Sequence, residues 1–259
     1  MSDGKPVVYA VTDGVATLTL NRPRSRNALS DDLLDELLLA LEQARRDEAV
    51  RVVVLASAHE RVFSAGGDLK AFASDTPTVA KYAGLDRFPR LFRLLATLGK
   101  PVIAAVGGDA LAGGFGLALA CDLVIARRGV RLGCPEINVG AFPFMISALI
   151  DRTIGRLQAN ELMLLGGLVD ADEACRLGLV NTVTDDFEAT VGEWAARLAA
   201  KSPLLLRLGK DALAATRDLP LDRALDALRA QLAIALSTED IREGVAAFRE
   251  KRLPEWRMR

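Results

Sequence analysis

Residues 50–57, VRVVVLAS, form an apolar run rich in β-branched side chains, and residues 61–72, RVFSAGGDLKAF, follow it with a glycine pair before Asp68. Such a run is typical of a short strand buried on both faces. The order recurs in PVIAAVGG, residues 101–108, and in DALAGGFGLALACDLVIAR, residues 109–127, which predicts a glycine turn, a helix and a strand. Repeated strand, glycine turn and helix units predict right-handed crossovers, a mainly parallel sheet and an α/β fold.

The N-terminal part of the chain has a different pattern. VVYAVTD, residues 7–13, and VATLTLN, residues 15–21, are β-rich runs that meet at an Asp-Gly pair. An Asp-Gly pair between two such runs predicts a β-hairpin with a two-residue turn. Residues 30–47 are amphipathic and begin with Ser30 and two acids, which predicts a helix with Ser30 as its N-cap.

The remaining segments are mostly helical in pattern. Residues 77–98 predict a helical region, which Gly99 ends. From about Ile146 onward the chain is almost wholly helix-patterned. We therefore predict a core of strand and helix units over residues 1–195 and a helical C-terminal region over residues 196–259.

Composition narrows the class of protein. The 259 residues are 51% hydrophobic, which is ample for a large core, and 33 basic against 34 acidic residues give a net charge of -1. A balanced charge gives no reason to expect a nucleic acid or an anionic membrane as partner. Three cysteines in apolar surroundings indicate reduced core thiols, and no apolar run reaches the ~20 residues of a membrane span. The start lacks the layout of an export signal, so we expect a soluble, cytoplasmic protein.

Two glycine pairs are candidates for a functional site. Gly66 and Gly67 lie between a strand and Asp68, which resembles an N-cap, and Gly113 and Gly114 lie between a strand and a helix. Backbone N–H groups at a helix start have no partner within the helix. Two such donors from separate loops can converge on one oxygen and form an oxyanion hole. The alternative is that each pair only permits a tight crossover.

Other catalytic patterns are absent from the sequence. It contains no phosphate-binding loop, no dinucleotide-binding glycine motif and no G-x-S-x-G nucleophile motif. A nucleophilic couple of Ser64 with His59 is conceivable, but a lone histidine in a surface turn is the better interpretation. The cysteines are scattered and His59 is the single histidine, so no metal site is predicted.

One carboxylate has unusual surroundings. Glu136 lies in GCPEINVGAF, residues 133–142, among apolar neighbours. Burial of an acid raises its pKa, which is the property that a general acid–base needs near neutral pH. The alternative is a salt-bridged acid in a turn, and the residues alone leave both open.

Five segments in this order resemble the crotonase, or enoyl-CoA hydratase/isomerase, superfamily. No single segment is specific, but their order and spacing match over nearly the whole chain. The five segments are NRPRSRNALS at 21–30, FSAGGDLK at 63–70, GDALAGGFGLALACDL at 108–123, CPEINVG at 134–140 and EDIREGVAAFREKRLPEW at 239–256.

This resemblance implies a crotonase-like spiral of ββα units that carries an acyl-CoA site, and a helical C-terminal region that assembles homotrimers or hexamers. It implies that the N–H groups of Gly67 and Gly113 hold the thioester carbonyl and stabilise an enolate. No separate cofactor is expected, because coenzyme A is part of the substrate. The residues that the resemblance places at the acyl-CoA are Arg24, Ala65, Gly67, Asp68, Leu69, Lys70, Phe248 and Lys251.

The sequence departs from the resemblance at one catalytic position. Hydratases of the superfamily use two glutamates to activate water; one matches Glu136, whereas the other position is Gly116. A single carboxylate suffices to move a proton from C2 to C4 of a 3-enoyl thioester. We therefore expect double-bond isomerisation by Glu136. Phe144, Met145 and Ile146 are interpreted as an apolar wall of a pocket for the acyl group, to which Phe142 and Gly116 also belong, with ordinary core packing as the alternative.

Three alternatives to isomerisation stay open at this point. A hydratase could recruit water without the second glutamate, since a glycine at that position leaves room for water or an anion in some relatives. The scaffold also supports thioester or ring-opening hydrolysis. An acyl-CoA binding protein without catalysis is the non-enzymatic alternative, although such a protein would have no need of Glu136.

Overall fold

The computed structural model describes residues 4–68 and 75–259, and these form two β-sheets surrounded by helices. The α/β prediction is confirmed. The strands are β1 Val7–Thr12, β2 Val15–Leu20, β3 Val52–Ser57, β4 Val62–Ser64, β5 Val102–Val106, β6 Asp109–Leu111, β7 Leu123–Arg127, β8 Arg131–Gly133, β9 Leu168–Asp170 and β10 Thr182–Thr184. The helices are α1 Asp31–Arg46, α2 Thr78–Gly84, α3 Arg87–Ala96, α4 Gly113–Leu119, α5 Phe144–Ile150, α6 Arg156–Leu165, α7 Ala171–Leu177, α8 Phe187–Ala199, α9 Pro203–Thr216, α10 Leu221–Ser237 and α11 Glu239–Glu250.

The larger sheet has the order β1-β2-β3-β5-β7-β10, and only β1 and β2 pair antiparallel. Their hairpin turn has positive φ at both Asp13 (49°) and Gly14 (78°), as a two-residue turn of this hand requires. The predicted hairpin and the mainly parallel sheet are therefore confirmed.

The central strands of this sheet are buried on both faces. Val53 and Leu55 of β3 belong to the main core, whereas Val52 and Val54 face a second cluster that Phe187 and the rest of α8 cover. The continuous apolar run in this part of the sequence follows from this two-sided burial.

The smaller sheet has the order β4-β6-β8-β9 and positions the candidate site. Strands β4, β6 and β8 are parallel, so the turns that follow them leave the sheet at the same edge. Each of these strands has only three residues, too few for alternation of side chains to be visible in the sequence.

The structure corrects three sequence-based predictions. The segment after Ile146 is not all helical, because β9 and β10 lie within it; both are three-residue strands held by pairing with β8 and β7. The segment predicted as a glycine turn after β5 contains β6. The helical region at 77–98 is two helices, because Pro89 cannot donate an N–H and therefore lies in the first turn of α3.

The structure also bears on the predictions for Ser30, the cysteines and the C-terminal helices. Ser30 occupies the N-cap of α1, although its hydroxyl makes no capping hydrogen bond. Cys121, Cys134 and Cys175 form no disulfide; Cys134 is buried in the core, whereas Cys121 and Cys175 are half-buried. Helices α9 to α11 form the C-terminal part of the chain, and no helix among the described residues is long and apolar enough to cross a membrane. The boundary at residues 195–196 stays a prediction.

Candidate active site

The two glycine pairs meet in space. We call residues 65–68, after β4, the first glycine turn, and residues 112–114, after β6, the second. A Cβ built on Gly66 would lie 2.9 Å from the Gly113 nitrogen, and a Cβ built on Gly113 would lie 3.4 Å from the Gly67 nitrogen. The two backbones are therefore in direct contact, and any side chain on Gly66 would force them apart.

One amide of each turn, at Gly67 and at Gly113, is available as a hydrogen-bond donor within the described part of the chain. Gly113 is the first residue of α4, where an N–H has no partner within the helix. Among the residues that the structure describes, neither the Gly67 N–H nor the Gly113 N–H donates to a protein acceptor. Two free donors on touching backbones agree with the expected oxyanion hole, whose convergence on one oxygen stays a prediction.

Ala112 holds the second turn in a strained conformation that sequence analysis missed. Its φ of 51° and ψ of -129° are costly for a residue with a Cβ, by about 1–3 kcal/mol. The Ala112 N–H donates to the Gly133 carbonyl at 2.8 Å, and a Cβ on Gly66 would lie 2.5 Å from the Ala112 methyl. Nothing in the local sequence distinguishes this alanine from others, since the strain arises from contacts with distant segments.

Glu136 lies at the same edge of the smaller sheet. It belongs to a 3-10 turn, Pro135–Val139, directly after β8, and β8 pairs with β6, which leads into the second glycine turn. Its Oε2 atom is buried and has no hydrogen-bond partner among the described residues. Burial raises the pKa of Glu136, against a smaller opposing effect of its backbone N–H.

The alternative of a salt-bridged turn acid is not supported. Within residues 4–68 and 75–259, no lysine or arginine forms an ion pair with Glu136. A buried carboxylate oxygen without a partner costs free energy, and such a cost is expected where the group serves a ligand. The acid is therefore poised to accept a hydrogen bond or a proton from a bound molecule.

Nearly the whole chain is similar to one family of known proteins. Residues 10–259 match the family model described as enoyl-CoA hydratase/isomerase. The chain belongs to the enoyl-CoA hydratase/isomerase family. The resemblance inferred from the five segments is thereby confirmed.

Two relatives and one solved structure are similar to this chain over nearly its whole length. It is 38% identical over 251 residues to the 2,3-dehydroadipyl-CoA hydratase of Escherichia coli, covering 95% of this chain and 96% of the relative. It is 36% identical over 242 residues to the short-chain-enoyl-CoA hydratase of Clostridium acetobutylicum, covering 92% of each. The crystal structure of an enoyl-CoA hydratase from Mycobacterium smegmatis superposes with a TM-score of 0.92 at 33% identity, covering 97% of this chain and 98% of that one.

In this member of the enoyl-CoA hydratase/isomerase family, the space beside Gly116 is filled by Ile146. A Cβ built on Gly116 would lie 2.0 Å from Cγ2 and 2.9 Å from Cβ of Ile146. Ile146 is only 2% exposed and comes from α5, which packs against α4. The room that a glycine leaves for water or an anion is therefore taken by an apolar side chain.

This contact gives a stability prediction with a matched control. Gly116→Ala should lower the free energy of unfolding by about 1–3 kcal/mol, because the new methyl would overlap a buried, β-branched neighbour. In α8, a Cβ built on Gly192 has no neighbour within 4 Å in the part of the chain that the structure describes. Gly192→Ala should therefore raise the free energy of unfolding by about 0.5–1 kcal/mol through helix propensity. Urea unfolding of both variants measures the difference, and equal effects would contradict the close contact at Gly116.

The predicted apolar pocket is only partly formed by the expected side chains. Phe142 is half-buried, and its ring centroid lies 5.1 Å from that of Phe144, which is 76% exposed. Met145 is 40% exposed. Leu29 and Phe88, which sequence analysis did not single out, are closer to the amides, since each has an atom 3.3 Å from a Cβ built on Gly113.

The other residues predicted to contact the acyl-CoA lie in separate parts of the chain. Arg24 is exposed in a 3-10 turn, Pro23–Ser25. Ala65 and Asp68 are half-buried in the first glycine turn, and Leu69 and Lys70 lie outside the described residues. Phe248, at 86% exposure, and Lys251, at the end of α11, lie on the surface of the C-terminal helices.

The conceivable couple of Ser64 with His59 does not form. Ser64 is fully buried, and its hydroxyl donates to the backbone carbonyl of Asn27 at 2.8 Å. The His59 Nδ1 atom accepts a hydrogen bond from the Arg61 N–H at 3.0 Å. Each side chain therefore stabilises its own loop.

Proposed function

We propose that this protein is an acyl-CoA enzyme that moves a double bond through an enolate, with Glu136 as the single proton carrier. The observation that carries the proposal is the buried Oε2 of Glu136, which has no partner in residues 4–68 and 75–259 and lies at the sheet edge where the Gly67 and Gly113 amides are. This arrangement combines one base with two donors for a developing oxyanion.

The proposed reaction needs no water and no second acid. Glu136 takes a proton from C2 of a 3-enoyl-CoA, and the electron pair of the broken C–H bond moves into the thioester carbonyl. The N–H groups of Gly67 and Gly113 stabilise the resulting enolate oxygen. The same carboxylic acid then returns its proton at C4, which gives the 2-enoyl-CoA and restores the carboxylate.

Ile146 supports isomerisation over hydration. Adding water requires a positioned water molecule beside the substrate, and two groups to handle its protons. At Gly116, where hydratases of the family carry their second glutamate, the Ile146 side chain occupies the space instead. The apolar contact favours chemistry that keeps water away from the enolate.

Hydration of a 2-enoyl-CoA is the second candidate, and the names of the relatives favour it. Both relatives described above are named as hydratases. The two reactions differ in mass, because hydration adds one water and isomerisation adds nothing. Incubation with matched 3-enoyl-CoA and 2-enoyl-CoA substrates, followed by chromatography and mass spectrometry, separates them. Faster conversion of the 2-enoyl substrate to the hydroxyacyl product would reject isomerisation as the main activity.

The raised pKa of Glu136 predicts the acid limb of the pH profile. Because the base acts deprotonated, kcat/KM should fall as the pH is lowered through the raised pKa, above the ~4.3 of an ordinary glutamate. The folded protein binds this proton more tightly than the unfolded chain, so ionisation of Glu136 opposes folding as the pH rises through that pKa. Isomerisation rates between pH 4 and 9 check the limb, and a midpoint at or below that of a free glutamate would contradict it.

We also propose that the chain assembles into trimers or hexamers and works in the cytoplasm. No residue of α10 is buried within the single chain, although the helix has a largely apolar sequence. Light scattering on the purified protein should give the mass of three or six chains, and a monomer would contradict the proposal. The large exposed side chains of α10 are Leu221, Leu225, Leu232, Ile234 and Leu236.

A further inference from the structure

Asn27 is a fully buried polar residue with an unusual backbone conformation. Its φ is 51°, in the left-handed region, where asparagine is better tolerated than most residues. Its side-chain amide donates to the Ser57 hydroxyl at 2.8 Å and to the Phe63 carbonyl at 3.0 Å. Its Oδ1 accepts from the Arg22 N–H at 2.8 Å. The side chain therefore ties its own loop to the strands on either side of the β3–β4 connection.

The loop around Asn27 is paired with the first glycine turn. The Ala65 N–H donates to the Arg26 carbonyl at 3.0 Å, and the Leu29 N–H donates to the Gly66 carbonyl at 2.8 Å. The Ser64 hydroxyl donates to the Asn27 carbonyl and accepts from the Gly66 N–H at 3.2 Å. Two backbone bonds and one shared hydroxyl thus connect the loop to the turn.

One of these bonds fixes the direction of a functional amide. The Gly66 carbonyl and the Gly67 N–H belong to the same planar peptide unit and point in opposite directions. The hydrogen bond from Leu29 to the Gly66 carbonyl therefore directs the Gly67 N–H away from Leu29. Gly66 has a φ of 91° and no side chain, so this peptide depends on its neighbours for its orientation.

We propose that Asn27 is a positioning residue, which aims the Gly67 N–H at the substrate carbonyl by holding the loop that binds the Gly66 carbonyl. The inference rests on the proposed function, since it assigns Asn27 a role in the same oxyanion hole. Asn27 touches no reacting atom. It acts through Leu29, two residues along the chain, and through the hydroxyl of Ser64.

Asn27→Asp tests the proposal with little change in shape. Aspartate also tolerates the left-handed region and can accept from the Arg22 N–H, but a carboxylate cannot donate to the Phe63 carbonyl. Removing one oxyanion-hole donor costs about 10²–10³-fold in kcat, so a misdirected donor should cost at least about tenfold. We expect KM to change less than about threefold, because most binding contacts of an acyl-CoA lie away from the carbonyl.

The infrared frequency of a bound thioester carbonyl can be measured independently of any change in folding stability. Hexanoyl-CoA with a ¹³C-labelled carbonyl is saturated at C2 and C3, so it reports polarisation without double-bond migration. Bound to the wild-type protein, its carbonyl band should shift to lower frequency than in water. Bound to the Asn27→Asp protein, the carbonyl band should return most of the way to its frequency in water.

Two other asparagines serve as controls. Asn21 donates from its side chain to the Lys5 carbonyl at 3.1 Å, so Asn21→Asp makes the same chemical change away from the glycine turns. Asn181 accepts from the Val124 N–H at 2.7 Å, so Asn181→Ala should lower the melting temperature. Both controls should keep the wild-type carbonyl frequency and kcat.

Each outcome decides for or against Asn27. A folded Asn27→Asp protein with unchanged frequency and kcat would overturn the proposal. Should this variant not fold, Asn27→Gly, which also tolerates positive φ, takes its place in both measurements. Failure of both to fold, with Asn181→Ala folded, would assign Asn27 to stability alone and also overturn the proposal. Absence of a frequency shift in the wild-type protein would instead reject the oxyanion hole itself.

Discussion

Glu136→Gln is expected to lower kcat for conversion of 3-enoyl-CoA to 2-enoyl-CoA by about 10²–10⁴-fold, the range for loss of a general base. Glutamine has the size of glutamate and keeps an oxygen that accepts hydrogen bonds, but its amide does not take up a proton at neutral pH. KM should change little, since the substitution leaves the donors at Gly67 and Gly113 in place. Steady-state rates on a 3-enoyl-CoA measure the effect.

The stability of the same variant should change in the opposite direction. The pKa of Glu136 is raised by burial, so its ionised form opposes folding at neutral pH, and the neutral amide removes that cost. The Glu136→Gln protein should therefore melt at or above the wild-type temperature at pH 7–8. The matched control is Glu193→Gln on the exposed face of α8, which should keep full activity. Undiminished turnover in the Glu136→Gln protein would reject the assigned role.

Gly66→Ala is expected to have the second largest effect. An alanine there must adopt a φ near 91°, and its methyl would lie 2.5 Å from the Ala112 methyl and 2.8 Å from the Leu111 carbonyl oxygen. The two glycine turns would have to separate, which breaks the geometry of two donors on one oxygen. We expect kcat to fall by at least about 10²-fold, as for loss of one oxyanion-hole donor. The free energy of unfolding should fall by about 2–4 kcal/mol, the sum of backbone strain and overpacking.

Comparison with Gly129→Ala separates the effect of backbone strain in Gly66→Ala from the effect of its steric overlap with Ala112. Gly129 has a similar φ of 83°, but no atom of the described residues lies within 4 Å of a Cβ built on it. This variant should lose about 1–2 kcal/mol of stability from the left-handed backbone alone, and it should keep wild-type kcat. Steady-state kinetics and urea unfolding on both proteins make the comparison. Equal kinetic effects in the two variants would show that the contact of Gly66 with Ala112 is unimportant for catalysis.

The parts of the fold that could be predicted are those with a local physical signature. The hairpin was predictable because an Asp-Gly pair tolerates two consecutive positive φ angles, and β3 and β5 were predictable because burial on both faces demands apolar runs. Strands β6 and β8 were not, because three residues show no period. Their pairing depends on contacts between segments distant in sequence, which no local pattern encodes.

The same distinction applies to the site. The glycine pairs and Glu136 became candidates because bare amides beside a helix start and an acid among apolar residues are unusual locally, and the family resemblance then singled out Gly67 and Gly113. Ala112 was missed, since an alanine in this context looks like ordinary packing. Ile146 was interpreted as part of an apolar pocket wall, but its contact with Gly116 was not foreseen. Both contacts become visible only in the structure, where the Ala112 methyl faces Gly66 and the Ile146 side chain fills the space beside Gly116.

The contact between Gly116 and Ile146 constrains the order in which this protein could change its chemistry by mutation. A carboxylate introduced first at position 116 would collide with a buried methyl group and place a charge among apolar side chains, so that intermediate would be strongly destabilised. Shortening Ile146 first leaves only a small cavity, which a folded protein tolerates at modest cost. A change to a carboxylate at position 116, on α4, would therefore have to follow a shortening of Ile146, on α5. A change from a carboxylate to glycine would have to take the two steps in the opposite order.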